Sequence, residues 1–232
     1  MNHLLSKIGS YPFEKLNLLH KDIKPSKDVI NLSIGEPKLN ADSKVLDILN
    51  KETNSFSNYP PMRAIPELSE AYRQYLKSHF GIENVAEDEV CLVAGTREGT
   101  FSIIQALFNK ENVKDKPYVV MPNPFYQIYG GATTLAGGEA KFLDCPEKDN
   151  FKPDLDSLKS EDWQKCQILV LCSPNNPTGS VLPFSKLKDI LDLAEKYDFY
   201  VVSDECYVDL YTSEKSCPSI LQASSGRSDR LI

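Results

Sequence analysis

This sequence lacks long apolar runs, clustered metal ligands and glycine-rich phosphate loops. No apolar segment approaches the roughly 20 residues of a membrane-spanning helix, so we expect no association with a membrane. The six cysteines include no C-x-x-C pair, and the three histidines lie far from every motif described below. Both observations argue against a metal site and a disulfide framework. Neither G-x-G-x-x-G nor a Walker loop occurs, which removes two familiar nucleotide-binding motifs.

Positive charge is also in deficit. The formal net charge is −7 and the sequence pI is near 5.1, which argues against a nucleic-acid-binding surface. The hydrophobic fraction of 41% and the charged fraction of 25% are ordinary for a globular protein with one substantial core. The N-terminus does not have the charged-then-apolar pattern of a signal peptide. We therefore expect a cytoplasmic protein with reduced, mostly buried thiols.

Short apolar runs alternate with helical periodicity from residue 89 onward. The pattern predicts strands at 89–94, 118–121, 140–143, 168–171 and 199–203, and helices at 98–108, 126–135, 154–159 and 184–197. This alternation predicts an α/β fold, with a mostly parallel sheet and helices on both faces. Residues 230–232 (Arg-Leu-Ile) resemble the opening of a further strand that is cut off.

In the first part of the chain the sequence pattern predicts three helices and one loop that contains several prolines. Helices are expected at 13–20, 41–50 and 67–80, and a loop at 58–66. In the second helix the apolar side chains expected to face inward are Val45, Leu46 and Leu49.

Polar groups follow the predicted strands where these end, and open α/β sheets bind ligands at that edge. Residues 95–97 (Gly-Thr-Arg) join a strand to a helix, whose N-terminal N–H groups and dipole attract phosphate. An ordinary strand–helix turn is the alternative. Asp204 directly follows a strand and suits a cation or a protonated ring nitrogen, but equally a helix cap or a solvated charge.

Neutral and aromatic groups complete this set. Asn176 and Tyr207 offer hydrogen bonds, although Asn176 also suits a plain turn and Tyr207 half-buried packing. Tyr126 lies among three aromatic residues within five positions, which suit either a flat binding face or a core cluster. Taken together, the groups suit a flat, phosphorylated aromatic cofactor whose ring nitrogen a carboxylate keeps protonated.

Residues 175–179 (Asn-Asn-Pro-Thr-Gly) and 204–207 (Asp-Glu-Cys-Tyr) resemble the class I aminotransferases, which have the fold type I of pyridoxal-phosphate enzymes. The resemblance extends in order from residue 35 to residue 207. It implies pyridoxal 5'-phosphate as the cofactor, and an amino acid and a 2-oxo acid as substrates. Residues 32–38 and 122–129 resemble more narrowly the N-succinyldiaminopimelate aminotransferases of lysine and diaminopimelate biosynthesis.

The resemblance implies roles for eight residues. Seven are cofactor contacts, namely the backbone amides of Thr96 and Arg97 at the phosphate, Tyr126 on the ring face, Asn176 and Tyr207 at the phenolic oxygen, Asp204 at the ring nitrogen, and Tyr59 at the phosphate held by a neighbouring subunit. Gly35 matches a backbone contact near the substrate carboxylate. The contact across subunits implies a homodimer. Ala64 stands where relatives usually have glycine.

The same resemblance implies residues that the sequence does not contain. In this family the Schiff-base lysine, the arginine that binds the substrate α-carboxylate and most of the small domain lie beyond the strand expected near Arg230. Lys196 and Lys215 stand in no matching context, so the catalytic residue is unknown. We therefore expect a truncated chain, with residues 1–40 as an N-terminal arm and part of the small domain, and 41–232 as an incomplete cofactor-binding large domain.

Three functional interpretations stay open at this point. The chain is either an aminotransferase by descent that still transfers amino groups, or a catalytically inactive cofactor-binding fragment of a disrupted gene. Another pyridoxal-phosphate chemistry, such as that of a C–S lyase, is also compatible with the scaffold, because a fold does not fix a reaction.

Overall fold

The structure, a computed structural model, describes residues 2–36, 39–59, 61, 63, 65–111, 117–211, 216–226 and 229–232. Its helices are α1 (Pro12–His20), α2 (Ser43–Lys51), α3 (Pro66–Phe80), α4 (Thr96–Leu107), α5 (Gln127–Ala136), α6 (Ser160–Lys165), α7 (Phe184–Tyr197) and α8 (Ile220–Ser224). Its strands are β1 (Tyr118–Asn123), β2 (Glu139–Asp144), β3 (Cys166–Cys172) and β4 (Tyr200–Asp204). The chain divides into two compact units, Met1–Ile8 with Ala64–Ile232, and Gly9–Arg63.

The four strands form one parallel sheet in the larger unit. Their order is β2-β1-β3-β4, so the chain passes from β1 to one neighbour and later returns to the other side of β1. Such a reversal opens a crevice at the carboxyl ends of β1 and β3. Leu231 forms a parallel bridge with Val201 beside β4, which confirms the predicted start of a strand near Arg230.

Alternation along the strands builds an apolar core on each face of this sheet. Val119 of β1 packs in the cluster that contains Ile104 of α4 and Ala132 of α5. The next residue, Val120, packs in the opposite cluster, which contains Ile190 of α7. Each fully buried aliphatic side chain contributes about 1.5–3 kcal/mol. The predicted class, a mostly parallel α/β sheet with helices on both faces, is confirmed.

Several helix boundaries follow their sequence signals. Pro66 opens α3, where its missing N–H is not needed, and Gly81 ends the helix with φ at 67°. Gly137 ends α5 in the same left-handed region, with φ at 85°. Among the described residues, no helix combines the length and the apolar character that crossing a bilayer requires.

The predicted strand at 89–94 is wrong. Residues 87–89 form a 3₁₀ turn, and 90–94 pair with no strand in the part of the chain that the structure describes. The apolar side chains of Leu92 and Val93 are 56% and 47% exposed. An apolar run becomes a strand only when a neighbour supplies its hydrogen-bond ladder. The pattern therefore identified a β-prone segment for which the described chain provides no partner.

The helix predicted at 154–159 is only partly correct. A 3₁₀ turn occupies Leu155–Ser157, and α6 begins only at Ser160, after two residues outside either helix. Asp154 accepts a hydrogen bond from the N–H of Asp156, so its side chain closes a turn rather than starting an α helix. The pattern also did not predict α8, which has only five residues.

The unit Gly9–Arg63 contains α1 and α2 and buries none of its described side chains. Asp42 caps α2 by accepting from the N–H of Lys44 at 2.8 Å, so local signals suffice to form the helix. The expected inward orientation of Val45, Leu46 and Leu49 is wrong, because these side chains are 59%, 48% and 50% exposed. The predicted division of the chain at residue 40 stays a prediction.

Candidate cofactor site

An open cavity of about 100 Å³ lies where the carboxyl ends of β3 and β4 meet the start of α4. Its walls are formed by Thr96, Arg97, Tyr126, Tyr129, Cys172, Asn176, Asp204, Cys206 and Tyr207. Six of these nine residues are the ones for which the sequence predicts cofactor contacts within one subunit. Segments 28 to 111 residues apart in the sequence (176 to 204, and 96 to 207) thus meet at the crevice that the strand order opens. The convergence is observed, and the roles stay predictions.

The two other predicted site residues belong to the unit Gly9–Arg63. Tyr59 is fully exposed, and Gly35 has no atom within 4 Å of where a side chain would begin. Their roles stay predictions. Ala64 and Lys215 lie outside the described residues, and among the residues that the structure does describe no lysine lines the cavity.

The carboxylate of Asp204 is fixed by two donors. Its Oδ2 accepts a hydrogen bond from the Tyr129 hydroxyl at 2.8 Å, and its Oδ1 accepts from the N–H of Cys206 at 3.3 Å. Tyr129 is only 1% exposed. Burial and the adjacent charge of Asp204 raise the pKa of Tyr129, so the phenol keeps its proton and remains the donor. One edge of Asp204 is therefore held, and both oxygens retain lone pairs for a further donor.

The aromatic residues after β1 divide between core and cavity. Phe125 stacks on Phe142 with ring centroids 5.2 Å apart. Tyr129 is buried and meets Tyr126 edge-on, at 5.8 Å and an interplanar angle of 90°. Tyr126 itself is half-buried and lines the cavity. The alternative of a core cluster therefore holds for two of the three rings, and Tyr126 is the one that presents a surface to a ligand.

A tight turn after β3 presents the amide of Asn176. Asn175 closes this turn, because its N–H donates to the carbonyl of Ser180 at 2.9 Å and its side chain donates to the Thr178 hydroxyl at 2.9 Å. Asn176 points to the other side, where its Nδ2 lies 3.3 Å from the hydroxyl oxygen of Tyr207. Burial raises the pKa of Tyr207, which keeps its proton. An N–H and an O–H donor thus meet at one point of the cavity.

The N-terminus of α4 forms the third side of the cavity. Gly95 has φ at 148°, a conformation that residues with a side chain rarely adopt, and its carbonyl accepts from the N–H of Gly99 at 2.9 Å. The first N–H groups of a helix have no acceptor within the helix and attract anions. Thr96 and Arg97 are exposed there, and the Arg97 guanidinium donates twice to Oε1 of Glu98, at 2.9 and 2.7 Å.

Sequence reasoning missed Tyr129, Cys172 and Cys206 as parts of this cavity. Burial, followed by the charge of Asp204, raises the pKa of Cys172 to about 11 and that of Cys206 to about 12. Both thiols are therefore protonated and weak nucleophiles at neutral pH. Tyr129 had a sequence signal, because it follows Tyr126, the N-cap residue of α5, by three positions and so lies one turn further along.

Comparison with known proteins identifies the family. Residues 27–231 match the family model described as aminotransferase class I and II. An aspartate aminotransferase of Pyrococcus horikoshii is 30% identical over 208 residues, which cover 89% of this chain and 52% of that protein. An LL-diaminopimelate aminotransferase of Maridesulfovibrio salexigens is 27% identical, with 98% of this chain and 58% of that protein covered.

A solved aminotransferase from Neisseria meningitidis superimposes with a TM-score of 0.91 at 38% identity, over 100% of this chain and 60% of that one. The present chain thus spans between about half and three fifths of the length of the proteins that it matches. With the family model covering almost all of its sequence, this chain belongs to the class I and II aminotransferases, a family of enzymes that use pyridoxal phosphate.

Proposed function

We propose that this chain binds pyridoxal 5'-phosphate in the cavity described above and supplies the cofactor-binding part of an aminotransferase. The enzyme transfers an amino group between an amino acid and a 2-oxo acid. The observation that supports this most strongly is the convergence of six separately predicted residues on one cavity.

Two sides of the cavity suit the phosphate and the ring face. Thr96 and Arg97 open α4, where backbone N–H groups, the helix dipole and a guanidinium favour a dianion. The ring of Tyr126 is held perpendicular to a buried neighbour, so its exposed face is preformed for stacking. Both contacts bind and orient a flat phosphorylated ring without reacting with it.

The remaining side suits the polar edge of the ring. The Asp204 carboxylate would hold a proton on a ring nitrogen by accepting its hydrogen bond. Asn176 and Tyr207, whose Nδ2 and hydroxyl oxygen lie 3.3 Å apart, would donate to an oxygen on the ring. Bound pyridoxal phosphate supplies an electron-withdrawing ring that stabilises negative charge at the substrate α-carbon. Since Cys172 and Cys206 have raised pKa values, neither thiol is an ionised base at neutral pH.

For the substrate we propose N-succinyldiaminopimelate as amino donor, with glutamate and 2-oxoglutarate as the other pair, in lysine and diaminopimelate biosynthesis. Residues 32–38 and 122–129 support this through their resemblance to that subgroup. Relatives named as LL-diaminopimelate aminotransferases support the diaminopimelate skeleton. Aspartate is the second candidate, because other relatives are named as aspartate aminotransferases.

We further propose a cytoplasmic homodimer. The six cysteines are all unpaired, which suits a reducing compartment. The apolar side chains of α2 are exposed, and a second copy would cover such a surface. Tyr59, which is fully exposed, would then contribute to the partner's cavity. Light scattering at micromolar concentration, with and without cofactor, tests this; a monomer under both conditions would contradict it.

Cofactor binding is the first test of the function. The purified chain should bind pyridoxal phosphate with a Kd that absorbance or quenching of tryptophan fluorescence reports. The protein is then incubated with each candidate amino donor and 2-oxoglutarate, and glutamate and ammonia are measured separately. Glutamate formation supports amino transfer, whereas ammonia supports elimination chemistry. Binding without either product supports the inactive alternative, and absence of binding contradicts the proposal.

Replacement of Tyr129 by phenylalanine tests whether the hydrogen bond from Tyr129 to Asp204 contributes to cofactor binding. The hydroxyl that holds Asp204 is lost, while the edge-on contact with Tyr126 is kept. Losing one charge-assisted hydrogen bond is expected to weaken pyridoxal phosphate binding by roughly tenfold. The absorption maximum of the bound cofactor should also shift, because the carboxylate facing its nitrogen moves. Tyr197→Phe is the matched control, since that hydroxyl contacts Ser160 on the surface; equal losses in both variants would contradict the assigned role.

A further inference from the structure

We propose that Glu98 competes with the cofactor phosphate for the N-terminus of α4 and so lowers the affinity of the cavity for phosphorylated ligands. The proposal deepens the proposed function and rests on it, since it concerns the same cavity. It assigns a role to a residue that neither the sequence motifs nor the cavity walls include.

The first support is the position of the carboxylate. Glu98 is the third residue of α4, and its side chain folds back towards the turn that precedes the helix. A side chain added at Gly95 would begin 3.0 Å from Oε2 of Glu98. The carboxylate therefore lies over the turn where the helix begins, which is the position that an anion bound by this turn would take.

The second support is the pairing with Arg97. Both Nε and one terminal nitrogen of Arg97 donate to the same oxygen of Glu98, at 2.9 and 2.7 Å. Arg97 is also one of the residues that line the cavity. The cation that suits the phosphate is thus already engaged by an acid on its own helix, and a phosphate has to share it or take it over.

The third support is charge. Hydrogen bonds from Arg97 and from its own backbone N–H lower the pKa of Glu98, which keeps the carboxylate ionised throughout the neutral range. A phosphate group carries roughly 1.5 to 2 negative charges near pH 7. Two anions at one helix terminus repel each other, so the binding of one opposes the other.

The ion pair is nevertheless easy to displace. The side chains of Arg97 and Glu98 are 63% and 48% exposed, and exposed pairs of this kind contribute little to stability. Entry of the phosphate would have Glu98 rotate towards solvent while Arg97 exchanges its bonds to Glu98 for bonds to the phosphate.

Replacement of Glu98 by glutamine tests the proposal by comparing two probes. Pyridoxal phosphate and pyridoxal share the ring, but only the first carries the phosphate. We expect Glu98→Gln to tighten binding of pyridoxal phosphate by roughly three- to tenfold and to leave the Kd of pyridoxal unchanged. Asp189→Asn is the matched control, because it removes the same charge from the exposed face of α7.

Each outcome decides between the possibilities. A tighter Kd for pyridoxal phosphate alone supports the proposal, and raising the salt concentration should reduce the gain by screening. An unchanged ratio of the two Kd values overturns it, and weaker binding of pyridoxal phosphate would mean that Glu98 positions Arg97 for the phosphate instead. If both probes tighten equally, the effect is not on the phosphate and the proposal fails. Failure of the unsubstituted chain to bind either probe would contradict the proposed function itself, and the inference with it.

Discussion

Replacement of Asp204 by asparagine is expected to weaken pyridoxal phosphate binding by about 10- to 100-fold. The substitution preserves the shape of the side chain, and its amide oxygen still accepts from the hydroxyl of Tyr129. What it removes is the negative charge, and hydrogen bonds to charged groups contribute about 1.5–3 kcal/mol. The affinity is lost at the protonated ring nitrogen of the cofactor, because a neutral amide does not stabilise a positive charge there as a carboxylate does.

A pH titration of the bound cofactor separates this effect from a general loosening of the cavity. In the unsubstituted chain the carboxylate raises the pKa of a ring nitrogen beside it, so the protonated spectrum persists to higher pH. In the Asp204→Asn variant the same spectral change should occur at lower pH. Asp209→Asn serves as the control, since Asp209 accepts from Tyr75 at 2.8 Å and lines no part of the described cavity. Unchanged affinity and an unchanged titration in Asp204→Asn would contradict the assignment of Asp204.

The positions that sequence could predict are those fixed by local order along the chain. Asn176 lies in the turn that follows β3 and Asp204 is the last residue of β4, and parallel strands bring their carboxyl ends to one edge. Thr96 begins a helix after a glycine, which marks a turn. Predicting these positions requires no knowledge of which remote residues are in contact. The topology supplies the convergence once the strands are parallel.

Tyr129 shows where such reasoning stops. Its hydroxyl contacts a carboxylate 75 residues later in the chain, through a hydrogen bond that depends on how α5 packs on the sheet. The sequence marked the aromatic cluster but did not distinguish the ring that supports Asp204 from the one that faces the cavity. That choice depends on burial, and burial depends on tertiary packing.

The strand prediction at 89–94 is wrong for a related reason. The segment's continuous apolar run is that of a buried strand, and propensity alone assigns it correctly as β-prone. A strand, however, is defined by its neighbour, and within the described chain no neighbour is in reach. The same holds for α2, where the periodicity predicts an apolar face but not what covers it. Local sequence patterns predict a helix or strand and its apolar face, but they do not predict which surface packs against that face.

Replacement of Glu205 by alanine is expected to lower the free energy of unfolding by about 2–3 kcal/mol, because buried hydrogen-bond donors lose their acceptor. Glu205 follows Asp204 but points away from the cavity. Its Oε1 accepts from the N–H of Ile220 at 2.8 Å and from the Ser203 hydroxyl at 3.0 Å. It therefore ties the start of α8 to the end of β4. Chemical denaturation, with midpoint and slope fitted together, measures the loss.

Glu205→Gln separates the hydrogen bonds from the charge, because its amide oxygen still accepts from the N–H of Ile220 and the hydroxyl of Ser203. Burial raises the pKa of Glu205 above its ordinary value of 4.5, while the bonds from Ile220, Ser219 and Ser203 oppose that shift. An acid whose pKa is raised in the folded state contributes stability below its unfolded pKa and loses it as pH rises through the folded pKa. Ionised Glu205 is therefore a cost at neutral pH that glutamine does not carry. Glu205→Gln should match or exceed the unsubstituted chain in stability at pH 7, and this advantage should shrink as pH falls towards 4.5. If the glutamine variant is as unstable as the alanine variant at pH 7, the charge itself holds α8 in place, and the role assigned to the hydrogen bonds is wrong.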